Sequence, residues 1–152
     1  SSDLLDEIIG NGKEEEIALA TISLSANEAG NPRPSVRMVS AYYEDGAFYV
    51  STDATKNKML EIGKNNEVAV CGMAWYTFHG KAENLGWVKD EKNADIRAKF
   101  KKVFGWFDAV GDEDNPNSIV LKIKLTDGVI IINPHSPDGK KYEIDFVNKT
   151  VK

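Results

Sequence analysis

Apolar and β-branched residues come in short runs in this chain, and each run is cut off by a cluster of Gly, Pro, Asn or Asp. Glu16 to Ser25 stops at Ala26-Asn27-Glu28-Ala29-Gly30-Asn31-Pro32, while Ser35 to Tyr43 and Ala47 to Ser51 flank Glu44-Asp45-Gly46. Runs bounded in this way read as strands, and the last two as a hairpin. Val68 to Ala74 and Trp75 to Glu83 make one long run broken only by Gly72, which leaves two strands or one bent strand open. Ser118 to Leu125 sets Ile119, Leu121, Ile123 and Leu125 against Val120, Lys122 and Lys124; Thr126-Asp127-Gly128 then reads as a hairpin turn into a further strand, Gly128 to Asn133. Lys141 to Val147 mixes Lys, Glu and Asp, as an exposed edge strand or a flap over the others would.

Helical spacing is rarer. It predicts a short helix at Asp3 to Ile9, another carrying Met59, Leu60 and Ile62 and ending near Gly63-Lys64-Asn65-Asn66, and a longer one within Lys89 to Val103 with Ile96, Phe100, Val103 and Phe104 on one side. Many short strands with few substantial helices predict a mainly β chain with flanking helices, arranged as an antiparallel barrel rather than a parallel sheet. No repeat or linker divides residues 1–152, so one domain is expected. A chain of 152 residues is small for a catalytic pocket built within one copy, which makes a homodimer the expected assembly.

Nineteen Lys and Arg against 24 Asp and Glu give a net charge of −5, which argues against a nucleic-acid or anionic-membrane surface. There is no bilayer-spanning stretch and no secretory pattern, so the expected location is cytoplasmic. The single cysteine, Cys71, lies in an apolar run and reads as a small buried hydrophobe. Ser1 in place of a methionine suggests a trimmed or tagged start.

One stretch points to chemistry. Ser51-Thr52-Asp53-Ala54-Thr55-Lys56-Asn57-Lys58 leaves a strand through small polar residues and enters a helix carrying two lysines. Backbone donors, hydroxyls and ammonium groups at a helix start suit a phosphate, although an ordinary N-cap with solvated lysines has the same composition. Counting back from Asp45, the apex of the hairpin, puts Arg37 opposite residues near Asp53. Arg37, Lys56 and Lys58 are therefore expected to converge, and three cations in an acidic chain favour a phosphate dianion.

Other chemistry finds little support. His79 and His135 have no carboxylate or cysteine at metal-ligand spacing, so no metal site is expected. Asp112-Glu113-Asp114-Asn115-Pro116-Asn117 lacks the glycine and glutamate of a calcium loop and reads as solvated. No nucleophile with a paired base can be argued, and no catalytic residue is named. Trp75, Trp87 and Trp106 read first as core residues.

Pro34-Ser35-Val36-Arg37-Met38-Val39, Gly46-Ala47-Phe48-Tyr49-Val50-Ser51-Thr52, Lys56-Asn57-Lys58, Asn65-Asn66-Glu67-Val68-Ala69-Val70 and Gly80-Lys81-Ala82-Glu83 occur in an order and spacing that resembles the pyridoxamine 5′-phosphate oxidase-like flavoproteins, whose fold is the FMN-binding split barrel. The resemblance covers roughly residues 15 to 85. It implies FMN as cofactor, with Arg37 and Lys58 on the phosphate and Ser51 and Thr52 against the flavin. It also implies that Met38 and Val39 follow the ring edge through their backbone, and that a second chain covers the ring. Lys56 stands where better-known members have serine, which makes the clamp more basic, and Asn57 adds a polar contact. Trp75 falls where a polar flavin contact is usual.

The tail from Lys140 to Lys152 has nothing like the arginine- and tryptophan-containing segment of true pyridoxamine phosphate oxidases, so their substrate is not carried over. The resemblance implies an FMN-dependent oxidoreductase acting on an unidentified small molecule, with NAD(P)H as a candidate reductant. The alternatives are a non-catalytic flavin-binding or electron-transfer protein, or a split-barrel module for haem or a deazaflavin.

Overall fold

The computed structural model describes residues 2–152; Ser1, and with it the reading of its start, lies outside the described residues. In chain order the elements are α1 (Ser2–Ile8), β1 (Glu14–Ile22), β2 (Pro34–Glu44), β3 (Ala47–Asp53), α2 (Asn57–Lys64), β4 (Glu67–Gly72), β5 (Tyr76–Trp87), a 3-10 turn (Glu91–Asn93), α3 (Ala94–Val103), α4 (Phe107–Val110), β6 (Ser118–Ile132), β7 (Lys140–Asp145) and β8 (Thr150–Val151). Every strand pairing is antiparallel, in the order β3-β2-β1-β4-β5-β6-β7-β8. A further pairing of β3 with β6 closes β1 to β6 into a barrel, with β7 and β8 hung outside on β6. The chain is thus mainly β, an antiparallel six-stranded barrel with a few short helices.

Alternation fills the barrel. Ile17, Leu19, Phe48, Val50, Val68, Val70, Phe78, Leu121 and Ile123 point inward, and Leu5 of α1 with Met59 and Ile62 of α2 join the same core. Burying one such side chain contributes about 1.5–3 kcal/mol. The opposite face is covered in one place only partly foreseen. Tyr42 and Val120 point outward but are buried under Ile96, Phe100, Phe104 and Phe107 of the α3–α4 segment, where Phe100 and Phe104 stack at 5.1 Å. This second apolar cluster is why β6 begins with four consecutive buried residues instead of alternating.

Three expectations need correction. Thr126-Asp127-Gly128 is not a hairpin turn, because β6 runs unbroken through it. His79 pairs with Asp127 but Gly80 with Leu125, so Thr126 is the extra residue of a bulge. Glycine is needed at 128 because a Cβ there would run into the Thr77 carbonyl and the Phe78 ring of the neighbouring strand. The long run around Gly72 resolves into two strands, β4 and β5.

Cys71 is exposed, not buried. With Val68 and Val70 pointing inward, the period of two turns Cys71 outward. On the same uncovered face Val36 and Met38 are 69% and 63% exposed, and Met73, in the turn that follows β4, is 87% exposed.

The β2–β3 hairpin is also shorter than expected. Its ladder holds only Tyr42↔Tyr49, Tyr43↔Phe48 and Glu44↔Ala47. Beyond these pairs β2 stays with β1, β3 stays with β6, and α2 wedges Met59 and Ile62 into the core. Arg37 therefore has no partner on β3; its Cα partner is Leu19 of β1. Among the described residues, no strand lies on the side of β2 that faces away from β1 from Pro34 to Ala41, or on the side of β3 that faces away from β6 from Val50 to Asp53.

Candidate functional site

The divergence of β2 and β3 creates the site. Met38 and Val39 lie on the open edge of β2, Met38 outward and exposed, Val39 packed against the barrel core. Ser51 and Thr52 lie on the open edge of β3, opposite Val120 and Ile119 of β6, and both are half-buried. The four residues expected along a ring therefore sit on two splayed strands with unpaired backbone between them.

Asp53 ends β3 in a tight local turn. Its Oδ1 accepts from the Thr55 amide at 2.7 Å and from the Thr55 hydroxyl at 2.6 Å. These bonds, helped by Lys56 and Lys58, hold the carboxyl below the usual aspartate range. The turn delivers Lys56 as N-cap of α2, where it makes no side-chain capping bond, and the first turn contains no acidic residue. Helix starts favour negative charge. Here Lys56, Asn57 and Lys58 supply cations and an amide instead, so the positive pole of α2 is reinforced. Lys58 is half-buried, and its pKa is pushed down first by that burial, then by the charges of Arg37 and Lys56. Lys58 thus lies within electrostatic reach of Arg37 and of Lys56, and it is α2 rather than the hairpin ladder that brings it there.

Arg37 is held from beneath. Its Nη1 donates to the Leu19 carbonyl at 3.1 Å and to Thr21 Oγ1 at 2.7 Å, and its Nη2 donates to Glu61 Oε1 at 3.0 Å. A guanidinium has five N–H donors in one plane. Three are engaged, which leaves Nε–H and one Nη2–H, two neighbours along one edge, for a bidentate acceptor. An edge of the Arg37 fork, an ammonium with raised acidity and an uncapped helix start are a donor set that fits a phosphate monoester.

Trp75 stands apart from this group. It occupies the β4–β5 turn with φ +58°, half-exposed, and meets His135 edge-on at 5.0 Å between ring centroids. Arg37 is level with Leu19 and Val70, whereas Trp75 lies past the end of β4 at Gly72. His79 is exposed and pairs with Asp127 at 3.1 Å. Among the described residues, no group of three His, Cys, Asp or Glu is placed to hold a metal ion. Among the described residues, no helix is long and apolar enough to cross a membrane. A cavity of about 620 Å³ opens elsewhere, between α3 and the outer face of β3 and β6, and includes neither Arg37 nor Lys58.

The family model described as pyridoxamine 5′-phosphate oxidase matches residues 13–130, which takes in the whole barrel from β1 to near the end of β6. The chain belongs to the pyridoxamine 5′-phosphate oxidase family. Several solved structures share its fold. A pyridoxamine 5′-phosphate oxidase-related, FMN-binding protein of Nostoc punctiforme superposes with a TM-score of 0.59 at 15% identity, covering 91% of this chain and 84% of that one. A NimC/NimA family protein of Clostridium acetobutylicum gives 0.59 at 17% identity, covering 93% and 92%. HutZ, the haem storage protein of Vibrio cholerae, gives 0.58 at 14% identity, covering 81% and 88%. At such identities the likeness concerns the fold alone. No curated protein matches the chain in sequence.

Sequence reasoning missed two residues of this site in the family barrel. Thr21, 1% exposed, and Glu61, 7% exposed, underlie Arg37. Glu61 follows Lys58 by three residues and so shares its side of α2. Its position between the buried Met59 and Ile62 was the available signal.

Proposed function

We propose that the chain is a homodimeric FMN-binding oxidoreductase that acts on a small organic molecule. The observation that carries this reading is the free Nε–Nη2 edge of Arg37 beside Lys58 and the uncapped start of α2. In this reading Arg37, Lys56, Lys58 and Asn57 bind the phosphate. Ser51, Thr52 and the backbone of Met38 and Val39 line the ring along the two open strand edges, and Trp75, apart from Arg37 within one chain, supplies an apolar neighbour from a partner copy. Bound FMN would supply the hydride or electron transfer; the chain would bind it, orient it and limit access of water.

The exposed Val36 and Met38, on the outer face of β2 beside its open edge, support a second copy seated there. Such a copy would cover a groove that one chain leaves open. For a haem reading an axial ligand is needed, and both histidines have neighbours already: His79 pairs with Asp127, and His135 meets Trp75.

The test is the visible spectrum of the purified protein, taken before and after FMN is added and then with NADH under anaerobic conditions. Flavin bands that shift on binding and bleach with NADH are the expected result. Bands that bind without bleaching would favour the electron-transfer or binding reading, and no saturable flavin binding would sink the proposal.

A further inference from the structure

Glu61 is the one charged residue among the described residues that is buried. Isolating a carboxylate from water is costly unless it is paired and hydrogen-bonded. Glu61 is both: Oε1 accepts from Thr21 Oγ1 at 2.7 Å and from Arg37 Nη2 at 3.0 Å, and Oε2 accepts from Ser35 Oγ at 3.4 Å. Thr21 completes a closed triangle, because the oxygen that donates to Glu61 also accepts from Arg37 Nη1. The three members come from three elements, β1, β2 and α2, so the triangle also ties the body of α2 to the strand that carries Arg37.

Two consequences of Glu61 for an anion oppose each other. Its charge offsets one of the three clustered cations and so weakens attraction. Its bond, with that of Thr21, occupies the far end of the guanidinium and leaves a single edge open. We propose that the second effect dominates, and that Glu61 with Thr21 is a positioning pair which aims Arg37 so that only its Nε–Nη2 edge meets a phosphate. The proposal rests on the flavin reading of the site, and it assigns the preference for a phosphorylated flavin over an unphosphorylated one to residues that never touch the ligand.

The substitutions Glu61→Ala, Glu61→Gln and Thr21→Val separate the two effects, with FMN and riboflavin as the two probes, titrated by flavin fluorescence. Glutamine can still accept from Arg37 but carries no charge. Positioning predicts that Glu61→Ala and Thr21→Val weaken FMN by about tenfold while riboflavin is unchanged, and that Glu61→Gln retains FMN affinity or tightens it. FMN affinity that is unchanged or higher in Glu61→Ala would overturn the proposal, as would equal losses for the two flavins. A second readout needs no flavin: the NMR order parameter of Arg37 Nε should fall in Glu61→Ala and recover in Glu61→Gln. A wild-type protein that binds neither flavin would defeat the clamp reading, whereas a rigid Arg37 Nε in Glu61→Ala would defeat positioning by itself.

Discussion

Arg97 of α3 grips Glu113 with two parallel hydrogen bonds, Nε to Oε2 at 2.8 Å and Nη2 to Oε1 at 3.0 Å. With Lys101 at 3.4 Å from the same carboxylate, the pair fastens the loop before β6 to the helix that covers Tyr42 and Val120. The Arg97 bonds bring the Glu113 pKa down to about 2. A depressed carboxylate contributes stability that is present above its unfolded value, about 4.3, and is lost as pH falls towards 2. Glu113→Gln should therefore lower Tm at pH 7 and leave it unchanged near pH 2. A Tm difference that does not vary across that window in thermal melts would contradict this assignment.

Lys58 gives the opposite kind of pH dependence. Its pKa is depressed, so in the flavin-free protein the ammonium deprotonates below the ordinary lysine value of about 10.4. If that charge holds the phosphate, the ratio of FMN to riboflavin affinity falls as pH rises towards 10. Lys58→Met should start with a lower ratio at pH 7, by about tenfold, and lose the alkaline fall. Fluorescence titrations from pH 7 to 10 measure both. A wild-type ratio independent of pH would remove Lys58 from the clamp.

The apolar face of β2 and β4 makes a prediction about assembly. Met38→Asp places a charge where Met38 is exposed in one chain and, in the proposed dimer, covered. Sedimentation should show a wild-type dimer and a folded monomer of Met38→Asp at micromolar concentration. A wild-type monomer under those conditions would refute the proposed interface.

Gly128 tests the bulge in β6. Alanine there would press its Cβ onto the Thr77 carbonyl and the Phe78 ring, so Gly128→Ala should cost about 1–3 kcal/mol of stability in urea unfolding. Alanine at Gly63, where a Cβ meets nothing within 4 Å, is the matched control and should not destabilise.

Much of the barrel was legible because its strands obey a period of two and stop at turn residues, as at Glu44-Asp45-Gly46. Where that reading failed, the same residues had two meanings. Thr126-Asp127-Gly128 spells a turn and a bulge equally well, and only the offset between His79–Asp127 and Gly80–Leu125 distinguishes them. Cys71 was misread because a run of apolar residues hides which of them face outward. The nearness of Arg37 to Lys58 was expected through a ladder that in fact ends at Tyr42 and Tyr49; it is α2, tied to Arg37 through Glu61, that brings Lys58 near, and a helix tied to a strand in this way leaves no periodic trace in the strand itself. Glu61 was not foreseen at all, since a glutamate after two lysines looks like an ordinary solvated helix face.

The parting of β2 and β3 bears on how the protein survives in storage as well as on what it binds. Unpaired strand edges recruit other strands, and this chain keeps two of them side by side where Met38, Val39, Ser51 and Thr52 lie. Whatever fills that gap also acts as a stopper: emptied, the groove leaves two strand edges through which one molecule can adhere to the next.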